Sequence, residues 1–374
     1  MTKPVFIIAD NIISPLGITS QENYERVING ETGLSLIDDA GLSDTAFYAA
    51  KIDDRKVPGL HIGDTRFERL CILSIQGALS QTNIKLSDPD TIFILSTTKG
   101  NIELIADGQT NGKVSLSGAA EEIAAYFQAV NKPVIVSNAC ISGVLAIITA
   151  KRLLATGKYK HAVVTGADAL SKFVISGFQS LMAISDEPCR PFDVERKGIN
   201  LGEGAATIVM TTDSTLTDKN SILIMGEGLT NDANHISGPS RTGEELADAV
   251  TKAISRSGIK NADLSFVSAH GTATIYNDEM ESKAFDAAGL ADVPLHSLKG
   301  YFGHTLGAAG VIETIMSIHS LRNRTIIASR NFEKSGVPFL LNINRAVANS
   351  DKSVFLKTAS GFGGCNVALV YSTM

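Results

Sequence analysis

Four short segments of this 374-residue chain pair glycine with a side chain able to do chemistry. The first, Val134-Ile-Val-Ser-Asn-Ala-Cys140-Ile-Ser-Gly143, reads as an apolar strand giving way to an apolar helix. That pattern places Cys140 at the positive end of the helix dipole, where thiolate is stabilised and nucleophilicity at neutral pH is raised. Ala139, Ser142 and Gly143 are small enough for a sharp turn beside an acyl group. A buried structural cysteine is the competing reading, since free Cys is among the most buried residue types. Val267-Ser-Ala-His270-Gly and Lys299-Gly-Tyr-Phe-Gly303-His304-Thr-Leu-Gly307-Ala-Ala-Gly310 each set a histidine where a strand gives way to a loop or helix. α/β sheets hold their sites at such ends. In the fourth segment, TASGFGGCN over 358–366, Gly361, Gly363 and Gly364 permit positive φ and bring backbone N–H groups near a substrate oxygen. A plain glycine-rich hairpin would look the same. A soft nucleophile with two imidazoles suits thioester chemistry, in which thiolate attacks and neutral N–H donors hold the oxyanion. His61, His161, His235, His296 and His319 lack such settings and read as structural.

Other chemistries lack their motifs. No Gly-Lys-Ser/Thr follows the glycines of 303–310, so no phosphate loop is expected. Neither C-x-x-C nor H-E-x-x-H occurs, so no metal site is expected. The G-x-S-x-G elbow of serine hydrolases and the G-x-G-x-x-G dinucleotide fingerprint are absent too. A net charge of −6 argues against a nucleic-acid partner, which would normally meet a basic footprint.

These residues need a rigid frame, and the apolar pattern supplies one. Short β-branched runs recur at Val5–Ile8, Thr91–Leu95, Val134–Ser137, Ala162–Thr165, Ala206–Met210, Ile222–Met225, Phe266–Ser268, Val354–Leu356 and Val367–Tyr371. Unbroken runs of this length predict strands buried on both faces, hence a sheet covered by helices. Helical patterns fall between them, over Glu121–Val130, Gly143–Ala155 and Leu306–Arg322. Thr242-Gly-Glu-Glu245 reads as a capping box opening a helix to about Ser257. The alternation gives an α/β class. A polar seam, TTDSTLTDKN over 211–220, divides the chain into halves that begin and end alike, a faint sign of duplication. The start of the chain lacks a signal-peptide pattern, and the longest apolar stretch, Val144–Ala150, is too short for a bilayer. A soluble cytoplasmic protein without membrane insertion is expected, its four scattered cysteines free.

At these motifs the chain resembles the elongating, decarboxylating β-ketoacyl-acyl carrier protein synthases of the thiolase superfamily. The resemblance runs over nearly the whole length, in order: ISPLG at 13–17, the Cys140 junction, CRPFD at 189–193, LGEGAA at 201–206, AHGTAT with Asn277-Asp278, KGYFGHTLGAAG with Glu313, and GFGGCN at 361–366. It implies a five-layered α-β-α-β-α thiolase-like fold of two duplicated halves, residues 1–215 carrying the nucleophile and 216–374 both histidines and the GFGG loop. It also implies roles. Cys140 would carry the acyl thioester, and His270 and His304 would hold the malonyl thioester carbonyl during decarboxylation. Lys299 and Glu313 would be the supporting charged pair. Backbone N–H groups of Cys140 and Phe362 would form the oxyanion hole, with Phe362 also the gate on the Gly361–Gly364 substrate loop.

By the same resemblance, no cofactor is tightly bound; substrates come on the phosphopantetheine of acyl carrier protein or on coenzyme A. The partners implied are acyl carrier protein and a second ketosynthase chain, identical or paralogous. Arg66, Arg69, Lys151 and Arg152 are the cations from which a carrier-protein patch could be drawn. Three departures stand out. Ile141 and Asn138 flank the cysteine where small polar residues are commoner, and Cys365 replaces the usual threonine. Only about 40 residues separate Gly100 from Cys140, fewer than the family's stretch that helps build the acyl pocket and the dimer contact. A coenzyme A-dependent thiolase using Cys140 and Cys365, and a non-catalytic chain-length-type partner, are the alternatives.

Overall fold

A computed structural model describes residues 3–57, 63, 65–106, 108, 112–234, 236 and 238–374. Ten strands form one mixed sheet: β1 (Val5–Ile13), β2 (Thr91–Ser96), β3 (Val134–Val136), β4 (His161–Asp168), β5 (Gly204–Thr211), β6 (Ile222–Asn231), β7 (Leu264–Ser268), β8 (Leu295–His296), β9 (Val354–Gly361) and β10 (Cys365–Thr373). Across the sheet they run β3-β2-β4-β5-β1-β6-β10-β9-β7-β8. From the outer edge inward, β3-β2-β4-β5-β1 pair parallel, parallel, antiparallel, antiparallel. From the other edge, β8-β7-β9-β10-β6 repeat that sequence of pairings, each strand standing five places later in the chain. The two runs meet where Val5–Ile7 of β1 pair antiparallel with β6.

Helices repeat in step. α1 (Arg66–Leu79), α2 (Leu116–Tyr126) and α3 (Ser142–Ala155) follow β1, β2 and β3, as α4 (Glu244–Ser257), α5 (Ile275–Ala287) and α6 (Ala309–Arg322) follow β6, β7 and β8. α1 covers β1, β4 and β5 from outside, and α4 covers β6 and β10. α3 and α6 pack on one another and touch strands of both runs, forming the middle layer. Twelve residues of α6 are buried, among them Val311, Ile312, Ile315, Met316 and Ile318. Such a helix carries no polar stripe, and each large apolar side chain removed from water contributes about 1.5–3 kcal/mol. β2 and β5 are buried along their whole length, as strands covered on both faces must be.

Two local expectations change. The capping box at Thr242 does not form. α4 is capped instead by Gly243 at φ 76°, without a side-chain cap bond. A Cβ at Gly243 would lie 2.6 Å from the Met280 carbonyl oxygen, so packing of α4 on α5 excludes any larger residue. α2 begins at Leu116 with Ser115 as its cap, five residues before the apolar run at Glu121 suggests.

Candidate active site

The nucleophile turn is set by local hydrogen bonds. After β3, Asn138 N–H donates to Ser142 Oγ at 2.7 Å, and that hydroxyl donates to the Ala139 carbonyl at 2.6 Å. The chain is bent tightly enough to hold Ala139 at φ 43°. Cys140 follows, buried, one residue before the Ile141 cap of α3. The glycine loop between β9 and β10 closes over it: a Cβ on Gly361 would sit 3.1 Å from the Cys140 nitrogen. Phe362 is 42% exposed and stacks on Phe178 with ring centroids 6.2 Å apart.

His270 leaves the end of β7, whereas His304 follows a short helix, Lys299–Phe302, and not the strand its sequence setting suggests. Glu281 of α5 accepts the N–H groups of His270 at 2.8 Å and Gly271 at 2.7 Å. Asp278, one turn earlier, accepts from Thr272 at 3.1 Å and Phe192 at 2.7 Å. His304 N–H donates to the Asn200 carbonyl at 2.7 Å. Its ring Nδ1 accepts the Leu306 N–H at 3.3 Å, so Nε2 carries the proton. Among the described residues that Nε2 is buried without a partner, as is His270 Nδ1.

The three groups meet. Cys140 Sγ and one nitrogen of each imidazole lie within 4.8 Å of one another. The rings stand 5.3 Å apart at 81°. Beneath them Lys299 Nζ pairs with Glu313 Oε1 and donates to the His270 carbonyl at 3.1 Å. Sequence reasoning missed Lys357, whose Nζ lies 2.6 Å from Glu313 Oε2 and is fully buried. The available signal was a lysine directly after the apolar run Val354–Leu356, because Lys is almost never fully buried unless paired.

Burial, then Lys299, the neighbouring ring and Lys357, holds His270 well below the ordinary imidazole range. Burial, Lys299 and Lys357 do the same to His304. Both rings are therefore neutral near pH 7. Burial pushes the Cys140 thiol up to about 11 against the opposing pull of Lys299. Cys140 thus rests as a thiol, contrary to the thiolate expected from the helix N-terminus alone. Burial, with the Asp278 charge beside it, raises Glu281 to about 7. The Cys–His–His spacing would admit a metal ion, yet the two buried ammonium groups beside it oppose a dication.

Expected patch cations are mostly engaged elsewhere. Arg66 pairs with Glu203 and Asp54, and Lys151 and Arg152 both pair with Glu227. Arg69 Nε donates to the Gly63 carbonyl at 3.2 Å. Cys365 Sγ donates to Asn138 Oδ1 at 3.0 Å. Residues 107 and 109–111 of the short segment before Cys140, and His61 and His235, lie outside the described residues.

The duplicated sheet, its two central helices and the cysteine–histidine site at their ends define a thiolase-like ketosynthase fold. Family models agree: "Beta-ketoacyl synthase, N-terminal domain" matches residues 73–215 and "Beta-ketoacyl synthase, C-terminal domain" matches residues 222–333. The chain belongs to the β-ketoacyl synthase family. It is similar to 3-oxoacyl-[acyl-carrier-protein] synthase 2 of Rhizobium meliloti, 31% identical over 63% of this chain and 59% of that protein, so that match spans less than two thirds of the relative. The synthase of the same name from Vibrio cholerae is 26% identical over 100% of this chain and 99% of that one. Among solved structures, a ketosynthase in complex with its chain length factor from Xenorhabdus doucetiae superposes with a TM-score of 0.86 at 24% identity, over 100% of this chain and 98% of that one. A β-ketoacyl synthase from Burkholderia phymatum gives 0.86 at 23% identity, over the whole of both chains.

Proposed function

We propose that this protein is a β-ketoacyl synthase that joins malonyl-acyl carrier protein to an acyl thioester by decarboxylative Claisen condensation. The observation that carries the reading is a buried thiol within 4.8 Å of two imidazoles, one locked with its proton on a free Nε2. Cys140 sulfur bonds to the acyl carbonyl carbon, the old thioester C–S bond breaks, and the thiol proton leaves with the departing carrier thiol. In the malonyl unit, the bond between carboxylate and Cα breaks and carbon dioxide departs. Its electron pair forms an enolate whose oxygen accepts from His304 Nε2–H and from His270. Neutral rings donate without being consumed, which is the protonation state that burial and the lysines impose. The enolate carbon then attacks the acyl-Cys140 carbonyl, the C–S bond breaks, and the departing thiolate takes a proton from water. Backbone N–H groups of Cys140 and Phe362 would hold that second oxyanion, with Phe362 swinging on the Gly361–Gly364 loop.

Substrates would arrive on phosphopantetheine of acyl carrier protein or on coenzyme A, with no tightly bound cofactor. A cytoplasmic homodimer, or a heterodimer with a paralogue, is the assembly proposed. Among the described residues no helix is long and apolar enough to cross a membrane. Support for a catalytic chain over a non-catalytic chain-length-type partner comes from the assembled Cys140, His270 and His304. Cys365, the second thiol a thiolase would use, is engaged by Asn138.

Incubation with acyl and malonyl carrier proteins, followed by intact-mass analysis and product detection, tests the reading. Acyl adduct on Cys140 and a β-ketoacyl product are expected. No adduct with any donor would refute it.

A further inference from the structure

We propose that Lys357 is a positioning residue for the decarboxylating histidines: it shares Glu313 with Lys299 and fixes the strand end from which His270 projects. This inference rests on the ketosynthase reading above. Lys357 of β9 stands in register with Ser268 of β7. Its Nζ donates to the carbonyls of Ser268 and Ala269, each at 3.2 Å. Lys299 takes the next carbonyl, that of His270, at 3.1 Å. Three consecutive carbonyls are thus gripped by two ammonium groups, and one carboxylate, Glu313, ties those groups together.

Fold stability does not call for this arrangement. Lys299 and Glu313 already pair with one another, so Lys357 adds a second buried ammonium group, one that burial disfavours and that Glu313 and Glu281 hold in place. Burying an ammonium group costs several kcal/mol even when it is well bonded. On the same face of β9, Phe355 and Ala359 are apolar and buried, and an apolar side chain at 357 would continue their pattern. Such a violation of a local rule is expected where function needs it. Together with Lys299, the Lys357 ammonium disfavours imidazolium in both rings and favours an anionic oxygen in front of His304 Nε2.

The titratable groups packed around the site are Lys299 on its short helix, Glu313 on α6, Glu281 and Asp278 on α5, Asp168 at the end of β4, and the Cys140 thiol. Only Lys357 and Lys299 are cationic among these. Removing Lys357 therefore lets the rings take a proton at higher pH.

Lys357→Met in the full chain tests this, read by the pH profile of malonyl-carrier protein decarboxylation and by NMR titration of ¹⁵N-labelled histidine rings. The acid limb and the His270 and His304 titrations should both move up by about one pH unit. Variant and wild-type rates should then keep a constant ratio from pH 8 down to the acid limb and diverge only there, where the rings take their protons. Lys357→Arg, which keeps the charge, should leave the limb in place. If the Met variant does not fold, Lys357→Gln, neutral but able to donate to the same carbonyls, carries the same expectation. A folded neutral variant losing rate equally at every pH, with ring titrations unmoved, would overturn the proposal. Wild-type protein that never decarboxylates malonyl thioester would overturn the ketosynthase reading instead, and the ring titration would still decide the role of Lys357.

Discussion

His304 Nδ1 accepts the Leu306 N–H at 3.3 Å, and this contact two residues along the chain decides what the far side of the ring can do. Nε2 becomes a donor aimed at the site without a competing partner among the described residues. Removing one such donor from an oxyanion site costs roughly 10²–10³ in rate. His304→Ala should lose malonyl decarboxylation by at least that factor while Cys140 still takes an acyl group. Carbon dioxide release and intact mass, measured on one sample, separate the two steps. Unchanged decarboxylation would remove His304 from its assigned role.

Cys140 is buried and its thiol is pushed up to about 11 from an ordinary 9.0. At neutral pH only the minor thiolate fraction reacts, and that fraction grows tenfold per pH unit below the pKa. Alkylation by iodoacetamide, followed at Cys140 by peptide mass, should therefore keep rising from pH 7 to beyond pH 9. A rate that levels off below pH 8 would mean that the N-terminus of α3 outweighs burial.

Much of this architecture can be read in the chain, and the limits are physical. Nine of the ten sheet strands announce themselves as unbroken apolar runs, because both of their faces are covered. β8 contributes only Leu295 and His296 to the sheet and offers no run to detect. α1 carried a usable signal, since Thr65 caps it by accepting the Glu68 N–H and its buried residues recur at Phe67, Leu70, Cys71, Ser74, Ile75 and Ala78. Motif glycines pointed to Cys140, His270 and His304, yet no spacing shows that the three converge, because they come from opposite runs of the duplicated sheet. A lysine ending an apolar run marks Lys357 as unusual, but its partners and those of Glu281 are backbone carbonyls and N–H groups or distant side chains, which residue type does not reveal. The sign of the Cys140 shift was illegible for a related reason: the helix end is a local feature, whereas the burial that outweighs it comes from the whole fold.

Asp10, a buried carboxylate far from the motifs, gives a stability test with a definite sign. Burial alone would raise Asp10, but His319 at 2.9 Å and Arg322 at 3.1 Å outweigh it and hold the group at about 2, below its ordinary 3.8. A depressed carboxyl contributes stability above its unfolded pKa and loses that contribution as pH falls through the folded one. The shift corresponds to about 2 kcal/mol. Asp10→Asn should be less stable than wild type by that order at pH 6–7, with the gap closing between about pH 4 and pH 2. Urea melts at several pH values measure it, and a gap independent of pH would mean that the ion pairs contribute nothing.

The two central helices touch at Gly143 and Gly310, and that contact sets the distance between nucleophile and histidine. A Cβ on Gly143 would lie 2.8 Å from the Val311 nitrogen and 2.9 Å from the Gly310 Cα, both backbone atoms of α6 that no rotamer change can move. Gly143→Ala must therefore push α3 from α6. Overpacking of this kind costs about 1–3 kcal/mol. Cys140 sits just before α3, and His304 five residues before α6, so the separation opens the site as well as loosening the core. The expected outcome is a folded protein with a lower melting temperature, a reactive Cys140 and condensation reduced well beyond the loss of folded protein. Gly157→Ala is the control: at φ 78° it is strained, but a Cβ there meets nothing within 4 Å. It should cost roughly 1 kcal/mol while leaving condensation per folded molecule intact. Equal condensation by the two variants at matched folded concentration would show that the glycine crossing serves packing alone.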